Sequence, residues 1–369
     1  MGHMKQMLKA AVLLSAFVSA NTFACTSFLL QGGDRIYFAR NLDWEWRDGL
    51  VIVNPSGMKK MSFVMPGNTP AKWTSKHGSV TFNQFGREMP FGGMNEAGLV
   101  VENMWLGETG FPETDSRPAI NLLQWIQYQL DNCSTVAEVL ATDKEIRLEP
   151  PPVSAASLAR IHYLVADASG DVATVEFLGG KMVVHRGPDL PMRALANDPY
   201  EQAVAYARKH PKQPGAGERL KDESSMARFA CAATRSADFK PGTAEEDLKY
   251  AFDGLDQVAQ GNFTVWRIVY DLPGRAIHFR IAKNAPDQVV NLKKLDFSCS
   301  RTVQFAKIEA HPSTNSFAFS ALTEPVHRDY LSSFLTKADV KREMGDLRPI
   351  MEGQLFVLRG FTCGDEAVK

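Results

Sequence analysis

Asn21-Thr22-Phe23-Ala24-Cys25-Thr26-Ser27-Phe28-Leu29-Leu30 joins two kinds of sequence. Upstream, Lys5 and Lys9 form a basic segment and Ala10 to Ala20 is apolar. Thr22 and Ala24 are small at the positions a signal peptidase reads. The apolar run is too short to cross a bilayer as a helix. Residues 1–24 therefore read as an export signal that is removed, with Met1-Gly2-His3 ahead of Met4 as a cloning scar. Cleavage after Ala24 leaves a chain that begins with Cys25, with a thiol and a free α-amine on one Cα. A nucleophile and its base then share one residue, an economical arrangement for acyl transfer.

Removing 24 residues leaves 345 of the 369. The leader holds two of the 41 basic residues, so 39 remain against 42 acidic ones, a balance of −3. Neither a nucleic acid nor an anionic membrane surface is implied by that charge. With 44% apolar and 22% charged residues the composition is that of a globular protein with ample core. No linker-like stretch divides it, so residues 25–369 read as a single domain. The five cysteines, Cys25, Cys133, Cys231, Cys299 and Cys363, are too widely spaced for a zinc knuckle or a redox pair. Their odd number leaves at least one thiol free, Cys25 first among the candidates; the pairing of the other four stays open.

Downstream of Cys25, Thr26 to Leu30 is a short apolar run and Arg35 to Arg40 a second run beyond Gly32-Gly33, the pattern of a tight hairpin. With Gly32-Gly33 as the loop, Cys25 is expected to face Arg40; a three-residue Gly32-Gly33-Asp34 loop is the alternative. A guanidinium there favours the thiolate. Asp43, three residues on, returns toward the α-amine. Taken alone, the arginine and aspartate also fit a surface ion pair.

The remaining chain alternates blocks of strands and helices. Strands are expected at 51–55, 61–65, 79–82 and, after a turn at Asn95 to Gly98, at 99–105. A helix is expected to begin at Pro118, and Thr135 with Glu138 signals a second by its capping box. A meander follows at 161–167, 172–178 and 181–185, then helices at 200–210, 225–234 and 243–257, then a hairpin from Phe263 to Ile281. Antiparallel signals throughout argue for an α+β fold of antiparallel sheets covered by segregated helices, not a parallel βαβ fold.

Several chemistries lack their signatures. The chain has no G-x-S-x-G elbow, no H-E-x-x-H and no phosphate-binding glycine loop. The eight histidines form no ligand cluster; His162, His185 and His278 sit in strand patterns and read as structural. No cofactor and no metal are expected. An exported lipoprotein or binding module anchored at Cys25 is the alternative of another class, although Thr22 and Phe23 fit a lipobox poorly.

The ordered motifs resemble the choloylglycine hydrolase family, which includes penicillin V acylases and conjugated bile acid hydrolases. Cys25-Thr26-Ser27-Phe28 resembles the family's opening after processing, and Ala39-Arg40-Asn41-Leu42-Asp43 its arginine and aspartate pair. Gly93-Met94-Asn95-Glu96-Ala97-Gly98-Leu99, Asn197-Asp198-Pro199 and Ser225-Met226-Ala227-Arg228-Phe229 resemble its later motifs, in family order. The resemblance implies an N-terminal-nucleophile hydrolase of four-layer αββα architecture, two antiparallel sheets between helical layers. It implies Cys25 as nucleophile, its α-amine as base, Asp43 holding that amine, Arg40 beside the thiolate, Asn197 as oxyanion donor and Arg228 completing the network.

Trp105 falls where penicillin acylases have a tyrosine and bile acid hydrolases an asparagine, and Asn103 faces the same side of the strand two residues earlier. Trp44, Asn103 and Trp105 are the candidate substrate-binding residues; the tryptophans suit an aromatic or long acyl group, although each also fits an ordinary core position. The resemblance is to Gram-negative, penicillin-acylase-like members. It implies hydrolysis of small-molecule amides with aromatic or fatty-acyl groups, penicillin V or N-acyl homoserine lactones, in the periplasm, with no stable membrane anchor. Conjugated bile salts are the alternative substrate. A homo-oligomer is implied, a tetramer being one form. However, Asn197 and Arg228 are only 31 residues apart, so the insertion that Gram-positive members use for tetramer assembly is missing.

Overall fold

The hairpin after Cys25 is the centre of a computed structural model that describes residues 24–149, 160–215, 217–309 and 318–364. The export-signal reading of residues 1–23 lies outside them. The hairpin consists of β1 (Thr26–Gly32) and β2 (Arg35–Asp43). The chain then supplies β3 (Leu50–Asn54), β4 (Ser79–Asn83), β5 (Pro90–Asn95), β6 (Val100–Trp105), β7 (Ile161–Ala166), β8 (Val172–Leu178) and β9 (Lys181–Arg186). After these come β10 (Ala194–Leu195), β11 (Thr264–Asp271), β12 (Ala276–Arg280), β13 (Gln288–Asn291), β14 (Gln304–Lys307) and β15 (Ser320–Ala321). The helices are α1 (Trp125–Asn132), α2 (Val136–Ala141), α3 (Tyr200–Lys209), α4 (Ser225–Ala237), α5 (Ala244–Gln257), α6 (Glu324–Leu335), α7 (Ala338–Met344) and α8 (Arg348–Leu358).

Two large antiparallel sheets face each other. The first runs β10-β1-β2-β11-β12-β13 and the second β9-β8-β7-β6-β5-β4-β3-β14-β15. Phe38, Phe82, Val100, Met104, Trp266 and Tyr270 fill the core between them. The strands of the second sheet alternate: Val100 and Met104 point to the first sheet, while Leu99 and Val101 join a second core under α1 with Trp125, Ile126 and Leu130. Helices α4 and α5 pack on β1, β2 and β11, and α1 packs on β5 and β6. The result is the expected α+β, four-layer αββα sandwich. No described helix is long and apolar enough to cross a membrane.

The hairpin corrects one expectation. Gly32 pairs with Arg35 and Ser27 with Arg40, so the loop is Gly33-Asp34 and the register is displaced by two residues. Gly33, at the first loop position, has φ +61°, as a II′ loop requires of its glycine. Gly32 serves packing instead: a Cβ there would lie 2.5 Å from Pro241 Cδ. Because the displacement is even, every side chain keeps its face. Cys25 is diagonal to Arg40 rather than opposite it, and both still point to the same side.

A second correction concerns Pro118. Ala119–Asn121 is a short strand paired in parallel with Arg147–Glu149. The helical turn begins after Asn121, whose side chain accepts from the backbone N–H of Leu123. A side-chain acceptor at Asn121 caps the turn more effectively than the fixed φ of Pro118 starts one. By contrast, the capping box of Thr135 and Glu138 is formed as expected, and Thr243 with Glu246 makes another at α5. The strand expected at 61–65 lies earlier, at Met58–Met61. Sequence patterns gave no reading of the C-terminal helices α6 to α8, which are tied back by a disulfide between Cys299 and Cys363.

Candidate active site

Cys25 lies at the open end of β1, where the two sheets and the start of α4 meet. Its thiol is buried, 4% exposed. Arg40 on β2 is wholly buried and reaches across with Nη2, 3.8 Å from Cys25 Sγ and 3.1 Å from the Asn103 carbonyl oxygen. The Asn103 side-chain oxygen lies 3.4 Å from the same nitrogen. Burial pushes the thiol above its ordinary range; Arg40 opposes this most strongly, Asp43 adds to it, and the Asp43 backbone N–H and Arg228 pull it down.

Arg228 enters from the first turn of α4, which Ser224 caps by accepting from the Ala227 N–H. Its Nη1 donates to the Cys25 carbonyl at 2.9 Å and to Thr26 Oγ1, and its Nη2 donates to Asn197 Oδ1 at 2.8 Å. The same guanidinium stands 3.8 Å from Asp43 Oδ2. Asp43 is buried at the end of β2 and accepts from Thr264 Oγ1 on β11. Burial raises its carboxyl to about 6, against the pull of Arg228, Thr264, Arg267 and Arg40.

Asn197 sits in the turn between β10 and α3. Its Oδ1 accepts from the Cys25 backbone nitrogen at 3.0 Å as well as from Arg228, while its Nδ2 donates to the Trp105 carbonyl at 2.9 Å. Donors on one side and an acceptor on the other fix the orientation of the amide. One Nδ2 hydrogen remains for a further acceptor. The turn itself is anchored twice. Ser225 Oγ accepts the Asn197 N–H at 2.7 Å. His162 Nε2 meets the Ala196 carbonyl at 2.8 Å while its Nδ1 meets Glu176 Oε1 at 3.0 Å. The structural reading of His162 thus acquires an address directly behind Asn197.

The structure therefore gathers Cys25, Arg40, Asp43, Asn103, Asn197 and Arg228 into one hydrogen-bonded cluster. Trp105, half-buried, joins it through its carbonyl. Trp44 follows Asp43 but is buried among Trp46 and Phe91, with ring centroids at 5.4 and 5.7 Å. Sequence reasoning missed Thr264 on Asp43 and Glu102 on Arg40, the latter an ion pair at 2.6 Å. An acidic residue inside the apolar run Leu99 to Trp105 was the one available signal for Glu102.

Residues 25–230 match the family described as linear amide C–N hydrolases, choloylglycine hydrolase family. A penicillin V acylase of Pectobacterium atrosepticum is 28% identical, over 81% of this chain and 88% of its own. Among solved structures, penicillin V acylase from Agrobacterium tumefaciens aligns with a TM-score of 0.65 at 27% identity, over 76% of this chain and 90% of that one. A variant of conjugated bile acid hydrolase from Clostridium perfringens shares the fold, with a TM-score of 0.62 at 16% identity over 81% of this chain and all of the other. The match spans the whole candidate site, from Cys25 through Arg228, and on it the chain belongs to the choloylglycine hydrolase family of linear amide C–N hydrolases.

Proposed function

We propose that the protein is an exported, periplasmic amidase that uses Cys25, freed by cleavage after Ala24, to hydrolyse amides of aromatic or fatty acids. The observation that carries this reading is the convergence of Arg40, Asp43, Asn197 and Arg228 on one cysteine at a candidate processing site. The Cys25 thiol passes its proton to the α-amine, whose ordinary pKa of about 7.7–8.0 suits neutral pH. The sulfur attacks the amide carbon, and the resulting oxyanion accepts a hydrogen bond from the free N–H of Asn197 Nδ2. Collapse expels the amine, which leaves with the proton held on the α-nitrogen. Water, deprotonated by the same α-amine, then attacks the thioester and releases the acid and the thiol. Arg40 favours the thiolate, and Asp43 orients the amine.

Penicillin V and N-acyl homoserine lactones are the proposed substrates. The penicillin V acylase relatives and the aromatic group Trp44, Trp46 and Phe91 beside Asp43 favour them. A hydrolysis panel of penicillin V, acyl homoserine lactones and glycine- and taurine-conjugated bile acids tests the assignment. Preference for the bile acids reverses it. Loss of all activity in Cys25→Ala, with the fold retained, is expected; retained activity sinks the nucleophile assignment. Intact mass of the exported protein separates a free Cys25 from a diacylglycerol adduct, which would reject the reading.

A further inference from the structure

Arg40 does not serve Cys25 alone. Its Nε meets Glu102 Oε2 at 2.6 Å, an ion pair outside hydrogen-bond alignment, while its Nη2 faces the sulfur at 3.8 Å. Glu102 projects from the middle of β6 into the space between the sheets and is wholly buried. Its other oxygen accepts from Tyr270 Oη on β11. The fold keeps room for this carboxyl: Gly92 is its cross-strand partner on β5, and a Cβ there would fall 2.0 Å from the carboxyl carbon. Placing an ionisable acid in the core is costly unless it is paired, and this one is paired with the cation that faces the candidate nucleophile.

We propose that Glu102 is a positioning residue for Cys25: it holds the Arg40 guanidinium by one nitrogen with another turned to the sulfur, and its charge sets how much positive potential the sulfur receives. The inference rests on the reading of Cys25 as nucleophile. Ionised Glu102 offsets part of the Arg40 charge, so the thiolate gains less from it; protonated Glu102 leaves that charge to the sulfur. Burial holds the carboxyl up at about 7, against Arg40 and Tyr270, so this balance changes near neutral pH. The charged or titrating groups facing the pair are Arg40 and Asp43 from β2, Tyr270 from β11 and Arg228 from α4. As Glu102 and Cys25 sense one cation, their titrations are coupled and the thiol's profile is broadened.

The test is the pH dependence of iodoacetamide alkylation at Cys25 in the processed protein, read by peptide mass, with Cys25→Ala as the site control. In Glu102→Gln the midpoint is expected to move about one pH unit lower, the size of one charge's effect across this distance in a protein interior, and the curve to sharpen toward a single proton. Tyr270→Phe removes a donor that favours ionised Glu102, so a smaller shift in the same direction is expected; it carries the test if Glu102→Gln does not fold. A purely structural pair lowers the melting temperature in both variants but leaves the profiles superimposed on the parent's. That result, or a shift to higher pH, overturns the proposal. Failure of the nucleophile reading is separately visible as amide hydrolysis surviving in Cys25→Ala.

Discussion

Asn197 Oδ1 lies 3.0 Å from the backbone nitrogen of Cys25, a contact between residues 172 positions apart. Since Arg228 donates to the same oxygen, the amide is held with its NH2 group turned toward the Trp105 carbonyl and the cleft. Asn197→Ala is therefore expected to lower kcat by about 10²–10³, the usual cost of one oxyanion donor. Asn197→Asp keeps the oxygen but has no NH2 to donate, so it should lose as much. Steady-state kinetics on the best amide of the panel measure both, and near-parental kcat in Asn197→Asp rules out the donor role.

The turn that carries Asn197 depends on groups that never approach the substrate. His162 on β7 meets the Ala196 carbonyl through Nε2 and Glu176 on β8 through Nδ1, and Glu176 Oε1 also accepts the Tyr200 N–H at 3.1 Å. Glu176→Leu leaves these buried donors unpaired and should cost about 1–3 kcal/mol of stability, with a fall in kcat larger than any change in KM. Glu176→Gln can still bond to both and should recover most of each. Thermal melts with paired kinetics decide it; equal loss in the two variants would show that hydrogen-bond shape is not what Glu176 supplies.

Much of this was legible because it is local. The meander, the capping box of Thr135 and Glu138 and the hairpin from β11 to β12 follow from alternation and turn chemistry within a few residues. The hairpin register was not, because Gly32 and Gly33 are glycine for different reasons. Gly33 supplies the positive φ, while Gly32 makes room for Pro241, more than 200 residues away. Family order gave Arg40, Asp43, Asn197 and Arg228. Glu102 stayed hidden because its partner Arg40 is set by how two sheets stack, and Thr264 because it pairs with Asp43 across strands 221 residues apart, neither of which strand periodicity encodes. Gly32→Ala tests the distinction: overpacking against Pro241 should destabilise by about 1–3 kcal/mol without altering the Gly33 turn, seen as a lower denaturation midpoint with an unchanged circular dichroism spectrum.

Asp43 makes activity and one part of stability respond oppositely to acid. Its carboxyl stands at about 6 in the fold, against an ordinary 3.8, chiefly through burial. As an acceptor for the α-amine it must be ionised, so below about 6 its protonation should add a second fall of about tenfold per pH unit in kcat/KM to the one that protonation of the α-amine begins near its ordinary pKa of about 7.7–8.0. For stability the sign reverses. A folded pKa above the unfolded one means the native state binds more protons between the two values, so this group's contribution is full below about pH 4 and is lost as pH rises through about 6. Melting curves of parent and Asp43→Asn across that window should diverge with this slope, and parallel curves would refute it.

The disulfide between Cys299 and Cys363 closes a loop of 64 residues that contains α6 to α8. Chain entropy alone assigns such a closure about 4 kcal/mol. Trp46 Nε1 donates to Asp339 at the start of α7, at 2.8 Å, and the Trp46 ring packs on Phe334 of α6 at 5.7 Å, so these helices buttress the aromatic group next to Asp43. Cys363→Ser is expected to lower the melting temperature while leaving kcat within twofold. KM for the longest acyl chains should rise, because the wall beside Trp44 is less firmly held. An unchanged melting temperature shows that the helices are held by packing alone.

In the chain described here Ala24 still precedes Cys25, and it is buried with it. The Cys25 nitrogen is then an amide: its single hydrogen is given to Asn197 Oδ1 and its lone pair is delocalised into the peptide, so it cannot take the thiol proton. Asp43 Oδ2, buried and without a hydrogen-bond partner among the described residues, is the acceptor that the additional hydrogens of a free α-amine would reach. On the proposed reading, cleavage would both create the base and give an orphaned carboxylate oxygen a donor. Protein that retains Ala24 should hydrolyse its amide at least about 10²-fold more slowly than protein beginning at Cys25, the contribution of a positioned general base. Intact mass fixes the first residue of each sample before the assay. Equal rates from the two would mean that the base lies elsewhere, and Asp43 would then have to be reconsidered for that role.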